Sequence, residues 1–482
     1  MKRGDKKKKN QFISKSKNHY IAKILNENIS KIEFNKINPK INFEVYTDFF
    51  RKYRGYEEGY LKYYSKWIRY LRKHIRLITM FITIEREFPY SGWIFIIACI
   101  MVSSLKLKET YKRRLNAIFI GKSGVGKDII TIFPEKIRDE NTVIKKFDST
   151  TIKGLQVRLE TEKDLFDNKA HVYSDLTSLQ TLARQPRTAW FNYYNSRLDK
   201  DFFDDSSYYS KPSMNELKKG VVILLATCTK KYLHTLKYNY KEGLTESTFW
   251  DRVIFVDVSL TQKEIDMGDA FTSFQEVEKA VSQVDIKRIF KDILLGKKQY
   301  EVILPKEFIP YIMQLRNCLY LSKDFIHEFS SNKKKGKSKS EKKNKSEEKI
   351  VIISTTETRR SKEQVVRILK CIALLRGDKL RNTEVNKIDI ELCKKLFEFI
   401  FIKPNKFWKI YYYMLSYSNP VTKKTFLECE DSFFKLSNAA VTEAFDYLEK
   451  IGFIKSRTKE DSSHQKVYYL NEYKGDENGN NT

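Results

Sequence analysis

Two observations predict an α/β fold built around a parallel sheet. The first is a set of short apolar runs, typical of buried strands, at residues 115–120, 170–173, 220–225 and 253–256. The second is that stretches with helical periodicity separate these runs, and parallel strands need such long crossover connections. Because 482 residues exceed one ordinary core, we also expect two or three domains.

Changes in composition and periodicity divide the chain into six expected segments. These are a basic arm (1–40), a helical N-terminal region (41–110), a core that holds the sheet (111–300), a helical segment (301–402), a C-terminal segment (403–473) and a tail (474–482). The arm and the tail are expected to be disordered. So is an insertion at 330–349, because it has no apolar residue to offset the entropy of folding.

The chain is strongly basic, with 91 Lys and Arg against 61 Asp and Glu and a formal net charge of +30. Such a surplus favours a polyanionic partner, because each Lys or Arg that contacts a phosphate releases a condensed counterion. We therefore expect DNA as a partner. The alternative is a basic protein whose composition only reflects an AT-rich genome.

The cysteines and the apolar segments argue against export and membrane insertion. The 6 cysteines form no Cys-x-x-Cys pair and have no histidine at zinc-ligand spacing, so we expect free, buried thiols in a reducing cytoplasm. The first residues contain no apolar stretch of a secretory signal. The longest apolar run, 93–103, is shorter than the roughly 18 residues that span a bilayer, so it predicts a core helix.

A glycine-rich loop follows the first predicted strand, and the helix after it is expected to open at Ile129. Its residues are Gly121, Lys122, Ser123, Gly124, Val125, Gly126, Lys127 and Asp128. The glycines allow tight turns whose backbone N–H groups converge on phosphate oxygens, and the following helix adds partial positive charge. Lys127 would contact the β- and γ-phosphates. The loop therefore predicts binding of a nucleoside triphosphate, with ATP as the expected cofactor.

Two acidic residues are candidates for holding Mg²⁺. Asp128 occupies the position at which the usual motif has Ser or Thr, whose hydroxyl joins the metal shell. Asp175 ends the second predicted strand, but Leu176 follows it where a hydrolytic site usually has Glu. Two registers stay open. Either Asp175 binds the metal and the glutamate is missing, or Ser174 replaces the metal acid, Asp175 acts as the glutamate and Asp128 compensates near the metal.

Three further residues in the core are candidates for catalysis. Thr227 and Thr229 end the third predicted strand, where a polar side chain can sense the γ-phosphate; ordinary surface threonines are the alternative. Arg252 precedes the last strand and could neutralise transition-state charge on the nucleotide of a neighbouring subunit. An ion pair within the chain, for example with Asp251, is the alternative for this arginine.

These elements, in this order, resemble the helicase-like ATPases of phages, plasmids and other mobile elements, relatives of the AAA+ class that includes minichromosome-maintenance helicases. Supporting segments are residues 147–155, 247–256 and 359–375, and the resemblance spans about residues 89–401. It implies a P-loop ATPase core with a helical lid, and a ring, expected to be hexameric, with ATP between subunits and DNA in the channel. Arg360 and Arg367 are then candidate lid arginines, with helix-surface ion pairs as the alternative.

The order of elements after residue 403, three helices and then a hairpin, predicts a winged helix. The third helix of such a domain enters the major groove of DNA, and the hairpin contacts backbone or minor groove. Candidate DNA-binding residues are therefore Ser437, Asn438 and Thr442 on the helix and Lys455, Arg457 and Lys466 on the hairpin. Docking of another protein is the alternative for this domain.

Three functions stay open on the sequence. The first is an ATP-dependent DNA helicase or replication-initiation ATPase of a mobile genetic element. The second, favoured by Asp128 and Leu176, is a catalytically weak, ATP-switched DNA-binding initiator or helicase loader. The third is a nucleotide kinase, since some of these enzymes also have Asp after the loop lysine; the chain length, the predicted winged helix and the charge of +30 argue against it.

Overall fold

The structure is a computed structural model. It describes residues 57–87, 90–108, 114–122, 125–127, 129–130, 142–147, 152–162, 164–165, 168–181, 189–194, 198, 202–203, 218–219, 222–229, 232, 249, 252–258, 260, 291–295, 298–331, 355–398, 406–417, 419–458 and 466–471. The basic arm, most of the predicted insertion and the tail lie outside these ranges. Two compact units are distinguished: residues 1–96, 260–292 and 375–380, and the remainder of the chain.

The first unit contains the helices α1 (Glu57–Leu71) and α2 (Ile75–Glu87) and the start of α3 (Gly92–Ser103). Trp67 and Phe81 are fully buried, and their rings stack with centroids 5.9 Å apart. Every residue of α3 is buried, so the prediction of a core helix at residues 93–103 is confirmed. In the part of the chain that the structure describes, no helix combines the length and apolarity needed to cross a membrane.

A buried carboxylate fixes the N-terminus of α3. Glu85, 2% exposed, accepts hydrogen bonds from the Tyr63 hydroxyl (2.8 Å), the Tyr90 N–H (2.9 Å) and the Gly92 N–H (2.7 Å). The first N–H groups of a helix have no partner within the helix. A negative charge there also interacts favourably with the partial positive charge of the helix N-terminus. A Cβ at position 92 would lie 2.8 Å from Glu85 Cγ, so only glycine allows this close approach.

The core of the second unit is a five-stranded parallel sheet, which confirms the predicted α/β class. The chain forms β1 (Asn116–Ile120), β2 (Ile144–Phe147), α4 (Ile152–Thr161), β3 (Lys169–Tyr173), the short antiparallel pair β4 (Phe202–Phe203) and β5 (Lys218–Lys219), β6 (Val222–Cys228) and β7 (Val253–Asp257). The sheet order is β2-β3-β6-β1-β7. The apolar runs predicted β1, β3, β6 and β7 but not β2, whose two central residues are half-buried lysines.

The helical segment begins with β8 (Val302–Ile303) and α5 (Ile309–Ser331) and continues with α6 (Thr355–Leu374), β9 (Thr383–Glu384) and α7 (Lys387–Leu396). β8 and β9 pair in parallel. The segment 301–402 was expected to be helical, and β9 interrupts it between α6 and α7. Asn386 begins α7 with a capping box, in which its side chain accepts from the Asp389 N–H and the Asp389 carboxylate accepts from the Asn386 N–H.

The C-terminal segment contains α8 (Lys406–Ser416), β10 (Val421–Thr422), α9 (Lys423–Leu427), α10 (Asn438–Lys450) and the hairpin β11 (Ile454–Thr458) and β12 (Lys466–Leu470). The predicted order of three helices and a hairpin is therefore present, with β10 added beside β12. Phe445 of α10 packs on Tyr468 of β12, with ring centroids 4.3 Å apart. All 6 cysteines are free thiols, and all but the half-buried Cys429 are buried, as expected.

Replacing Glu85 with Ala should lower the free energy of unfolding by about 3 kcal/mol, because two buried N–H groups and a hydroxyl lose their acceptor. Thermal unfolding and amide hydrogen exchange of α3 measure the effect. Tyr63→Phe removes one of the three donors and serves as the graded control, with an expected loss of about 1 kcal/mol. A Glu85→Ala protein as stable as the wild type would contradict the account of this helix start.

Candidate phosphate-binding site

The glycine-rich loop starts at the carboxyl end of β1, in the interior of the parallel sheet. The ladder of the sheet continues one residue beyond the strand: the Gly121 N–H donates to the Cys228 carbonyl (3.1 Å), and the Val258 N–H donates to the Ile120 carbonyl (2.8 Å). β6 and β7 therefore hold the first residue of the loop from both sides. The predicted placement of the loop directly after a buried strand is confirmed.

The backbone geometry of the loop requires glycine at two positions. A Cβ at Gly121 would lie 2.6 Å from the Val258 carbonyl oxygen and 2.7 Å from Val125 Cγ2, so no side chain fits there. Gly126 has a φ of 73°, a left-handed conformation that other residues adopt at a cost. Ser123, Gly124 and Asp128 lie outside the described residues, so the role predicted for Asp128 in metal binding stays a prediction.

Lys127 is a buried cation at the end of this loop, 4% exposed. Its Nζ donates to the carbonyl oxygen of Lys122 (3.2 Å), a neutral acceptor. Within the described ranges no carboxylate forms an ion pair with it, although a buried charge is costly unless it is paired. Ile129 and Ile130 then begin a helix, as predicted, with backbone hydrogen bonds to Gly126 and Lys127.

Asp175 lies at the same edge of the sheet as the loop. Tyr173 pairs with Ala226, and Ile120 pairs with Cys228, so Asp175, two residues after Tyr173, lies level with the end of β1. β6 separates the two strands, which places the backbone of Asp175 roughly 10 Å from that of Gly121. The side chain is half-buried, and its Oδ1 accepts from the Thr177 N–H (2.9 Å). A carboxylate at this distance suits a divalent cation bound between it and a phosphate on the loop.

Leu176, the residue after Asp175, is fully buried. It belongs to the apolar cluster that includes Tyr173, Leu179 and Leu224, and it begins a short 3₁₀ helix, Leu176–Thr181. The position at which a hydrolytic site usually has Glu therefore faces the core. In this structure a polar side chain at residue 176 would not reach a nucleotide at the sheet edge without a change of the backbone.

Thr227 joins β6 to the end of β3. It is fully buried, and its hydroxyl donates to the carbonyl oxygen of Ser174, next to Asp175. Thr229 lies just beyond the strand, is half-buried, and accepts from the Tyr232 N–H (3.3 Å). Of the two candidate threonines, Thr227 thus contacts the turn that carries Asp175, and Thr229 contacts the segment after β6.

Arg252 lies at the opposite, amino edge of the sheet. It immediately precedes β7, whose first residue pairs with Asn116 at the start of β1. The Asn116 side chain donates to the Arg252 carbonyl (3.2 Å) and accepts from the Leu224 N–H (2.9 Å), so it joins the amino ends of three strands. Five residues of strand separate this edge from the loop, about 16 Å. The structure therefore does not bring Arg252 together with Lys127.

Sequence reasoning missed two groups of polar residues in the sheet. One is Asn116, which could have been noticed as a polar residue at the first position of an otherwise apolar strand. The other is a buried network of hydrogen bonds. The Tyr173 and Tyr194 hydroxyls lie 2.7 Å apart, and the Tyr194 hydroxyl lies 2.8 Å from His171 Nδ1. His171 Nε2 donates to the Leu165 carbonyl. Burial raises the pKa of Tyr173 well above its ordinary value. These contacts fix β3, which ends two residues before Asp175.

The other candidates lie in the helical and C-terminal segments. Arg367 lies 3.7 Å from Glu363, one helical turn earlier, so the ion pair of the alternative is present, but Arg367 is buried and not on the helix surface. Arg360 is half-buried on the same helix. Ser437 is the N-cap of α10 and accepts from the Ala440 N–H (3.3 Å). The remaining candidates are exposed or half-buried: Asn438, Thr442, Lys455, Arg457 and Lys466. Among the residues for which the structure gives positions, no cluster of three metal-binding side chains is present.

Replacing Leu176 with Glu, the residue that hydrolytic sites usually have, should unfold rather than activate the protein. A carboxylate in this apolar cluster is expected to cost about 3 kcal/mol or more, and the loss should shrink at acidic pH, where the carboxyl is protonated. Leu176→Met, which keeps the volume, should cost less than about 1.5 kcal/mol. Thermal unfolding and ATP hydrolysis measure both variants, and a stable, faster Leu176→Glu enzyme would contradict the position described for this side chain.

A scan of the sequence against protein-family models and a search of curated proteins find no match.

Proposed function

We propose that this chain is an ATP-dependent DNA helicase or a replication-initiation ATPase of a mobile genetic element. In this proposal it works as a ring that hydrolyses ATP between subunits. The observation that carries the proposal is that Lys127 is buried at the end of a glycine-rich loop, where no carboxylate of the described residues pairs with it. A polyphosphate bound on the loop would place negative charge beside this lysine. The N–H groups of the loop would add donors, and the start of the helix at Ile129 would add partial positive charge.

Mg²⁺ would join the two sides of this site. The carboxylate of Asp175 is a hard oxygen ligand at the edge of the sheet from which the loop emerges, which fits the preference of this cation. When bound, the cation would neutralise charge on the β- and γ-phosphates. The Thr227 hydroxyl holds the Ser174 carbonyl and so keeps the turn before Asp175 in place.

The proposal of a ring rests on the distance between Arg252 and Lys127. Because one lies at the amino edge of the sheet and the other at the carboxyl edge, Arg252 cannot serve the nucleotide of its own chain without a large rearrangement. A head-to-tail arrangement of subunits would bring the amino edge of one sheet to the nucleotide of the next. Arg252 would then stabilise transition-state charge across the interface.

The proposal of DNA as the partner rests on charge and on the C-terminal segment. The formal charge of +30 favours a polyanion. The element order α8, β10, α9, α10, β11, β12, with β10 paired to β12, fits a winged helix.

A second candidate function, an ATP-switched DNA-binding initiator or helicase loader with weak hydrolysis, is favoured by one observation. Leu176 is buried where a glutamate would otherwise orient the attacking water. In that case ATP binding would change the conformation or the assembly of the protein, and turnover would be slow.

Lys127→Ala should abolish ATP binding and DNA-stimulated hydrolysis, because it removes the buried cation that faces the phosphates. Loss of binding by at least about tenfold is expected, the scale of one charge-assisted contact. Lys306→Ala, which removes an exposed lysine outside the loop, is the matched control and should behave as the wild type. Fluorescent-nucleotide titration, phosphate release and strand displacement are measured in parallel.

The three readouts separate the candidates. Hydrolysis with strand displacement in the wild type supports the helicase, whereas tight ATP binding without turnover supports the switch. Wild-type protein that binds no nucleoside triphosphate, or Lys127→Ala protein that binds it as tightly as the wild type, would overturn both.

A further inference from the structure

The helix α10, which would be expected to read DNA in a winged helix, carries an acidic exposed face. Glu443 and Asp446 lie on it with side chains 63% and 61% exposed. Asp446 lies one helical turn beyond Thr442, on the same face as Asn438, and Glu443 lies at the edge of that face. A carboxylate in either groove of DNA faces phosphates of the same charge, so this face is poorly suited to DNA.

Lysines from neighbouring helices already pair with these carboxylates. Lys406 of α8 lies 2.6 Å from Glu443, and Lys423 of α9 lies 3.1 Å from Asp446. Lys466, at the start of β12, lies 3.6 Å from Glu449. These three lysines are therefore engaged within the protein, and phosphates would have to compete with carboxylates for them.

The hairpin has a different surface. On its inner face, Ile454, Tyr468 and Leu470 are buried. Its outer face consists of the two cross-strand pairs Lys455–Tyr469 and Arg457–Val467. Their side chains are exposed or half-buried, and among the described residues no carboxylate pairs with Lys455 or Arg457. We call these four residues the outer hairpin face.

Tyr469 holds the guanidinium of Arg457 over its ring, 5.9 Å from the ring centroid. Such a cation–π contact restricts a long side chain without neutralising its charge, and Arg457 is exposed. A half-exposed ring next to two cations with which no carboxylate of the described residues pairs is typical of surfaces that bind the backbone of nucleic acids.

We propose that the outer hairpin face, and not α10, is the main contact of the C-terminal segment with DNA, through the phosphodiester backbone. Lys455 and Arg457 bind phosphates, and Tyr469 positions Arg457. Binding through the backbone carries little sequence information, so this segment should bind DNA of any sequence. The inference rests on the proposed DNA partner and specifies the surface that binds it.

The test compares three double variants of the full chain. Lys455→Gln with Arg457→Gln removes two charges from the hairpin while it keeps the aliphatic stems. Asn438→Ala with Thr442→Ala truncates the polar groups of α10. Lys298→Gln with Lys306→Gln removes two exposed lysines elsewhere and is the matched control, since Lys298 also lies over a tyrosine ring, that of Tyr300. Binding of a labelled duplex of mixed sequence is followed by anisotropy over a salt series.

The hairpin variant should bind on the order of tenfold more weakly at low salt, and the log–log salt slope should fall by about 1.8, for two lost phosphate contacts. The α10 variant and the control should each stay within about twofold of the wild type. Tyr469→Phe keeps the ring and should bind as the wild type, whereas Tyr469→Leu should weaken binding a few-fold. Unchanged thermal unfolding in each variant confirms that the fold is intact.

The results separate this inference from the proposed function. Salt-dependent binding by the wild type that survives in the hairpin variant, or that is lost in the α10 variant, overturns the hairpin assignment and leaves the DNA partner in place. Wild-type protein that shows no salt-dependent binding overturns the hairpin assignment and the DNA partner together, while ATP binding without DNA tests the nucleotide site by itself.

Discussion

The candidate site depends on the hydrogen bonds by which the parallel ladder extends past the end of β1 into the glycine-rich loop. Gly121 donates to Cys228, and Val258 donates to Ile120, so the two neighbouring strands fix where the loop leaves the sheet. The Val258 carbonyl also excludes any side chain from residue 121. Since these contacts determine the start of the loop, they determine where Lys127 is buried and which strand ends lie beside it.

The same parallel arrangement distributes the candidate residues over two edges of the sheet. Strands that run in one direction place Lys127, Asp175 and Thr227 at or near their carboxyl ends and Arg252 at the amino edge. At the amino edge, the side chain of Asn116 links the starts of β1, β6 and β7 through hydrogen bonds. In the proposed ring, Arg252 would act on the nucleotide of a neighbouring copy of the chain, across the contact between the two copies. This geometry is the physical basis for the proposed ring.

The sequence predicted those parts of the fold whose signal is local. Apolar runs marked β1, β3, β6 and β7, and the stretch at 466–470 marked β12. β2 was not predicted because Lys145 and Lys146 interrupt its apolar pattern. These half-buried lysines are accommodated because β2 is at the edge of the described sheet. For the site, the loop was predictable from its motif. The bond from Thr227 to Ser174 was not, because it depends on which strands become neighbours, and the burial of Leu176 depends on tertiary packing.

The central claim is that this chain supplies two separated halves of one ATPase site, and a subunit-mixing experiment tests it most directly. Lys127→Ala and Arg252→Ala chains, each expected to be inactive alone, should recover hydrolysis when mixed, because about a quarter of the interfaces would then join two intact halves. Mixing Lys127→Ala with the double variant is the control and should recover nothing. Failure of the first mixture to recover activity, or full activity of Arg252→Ala alone, would contradict the account.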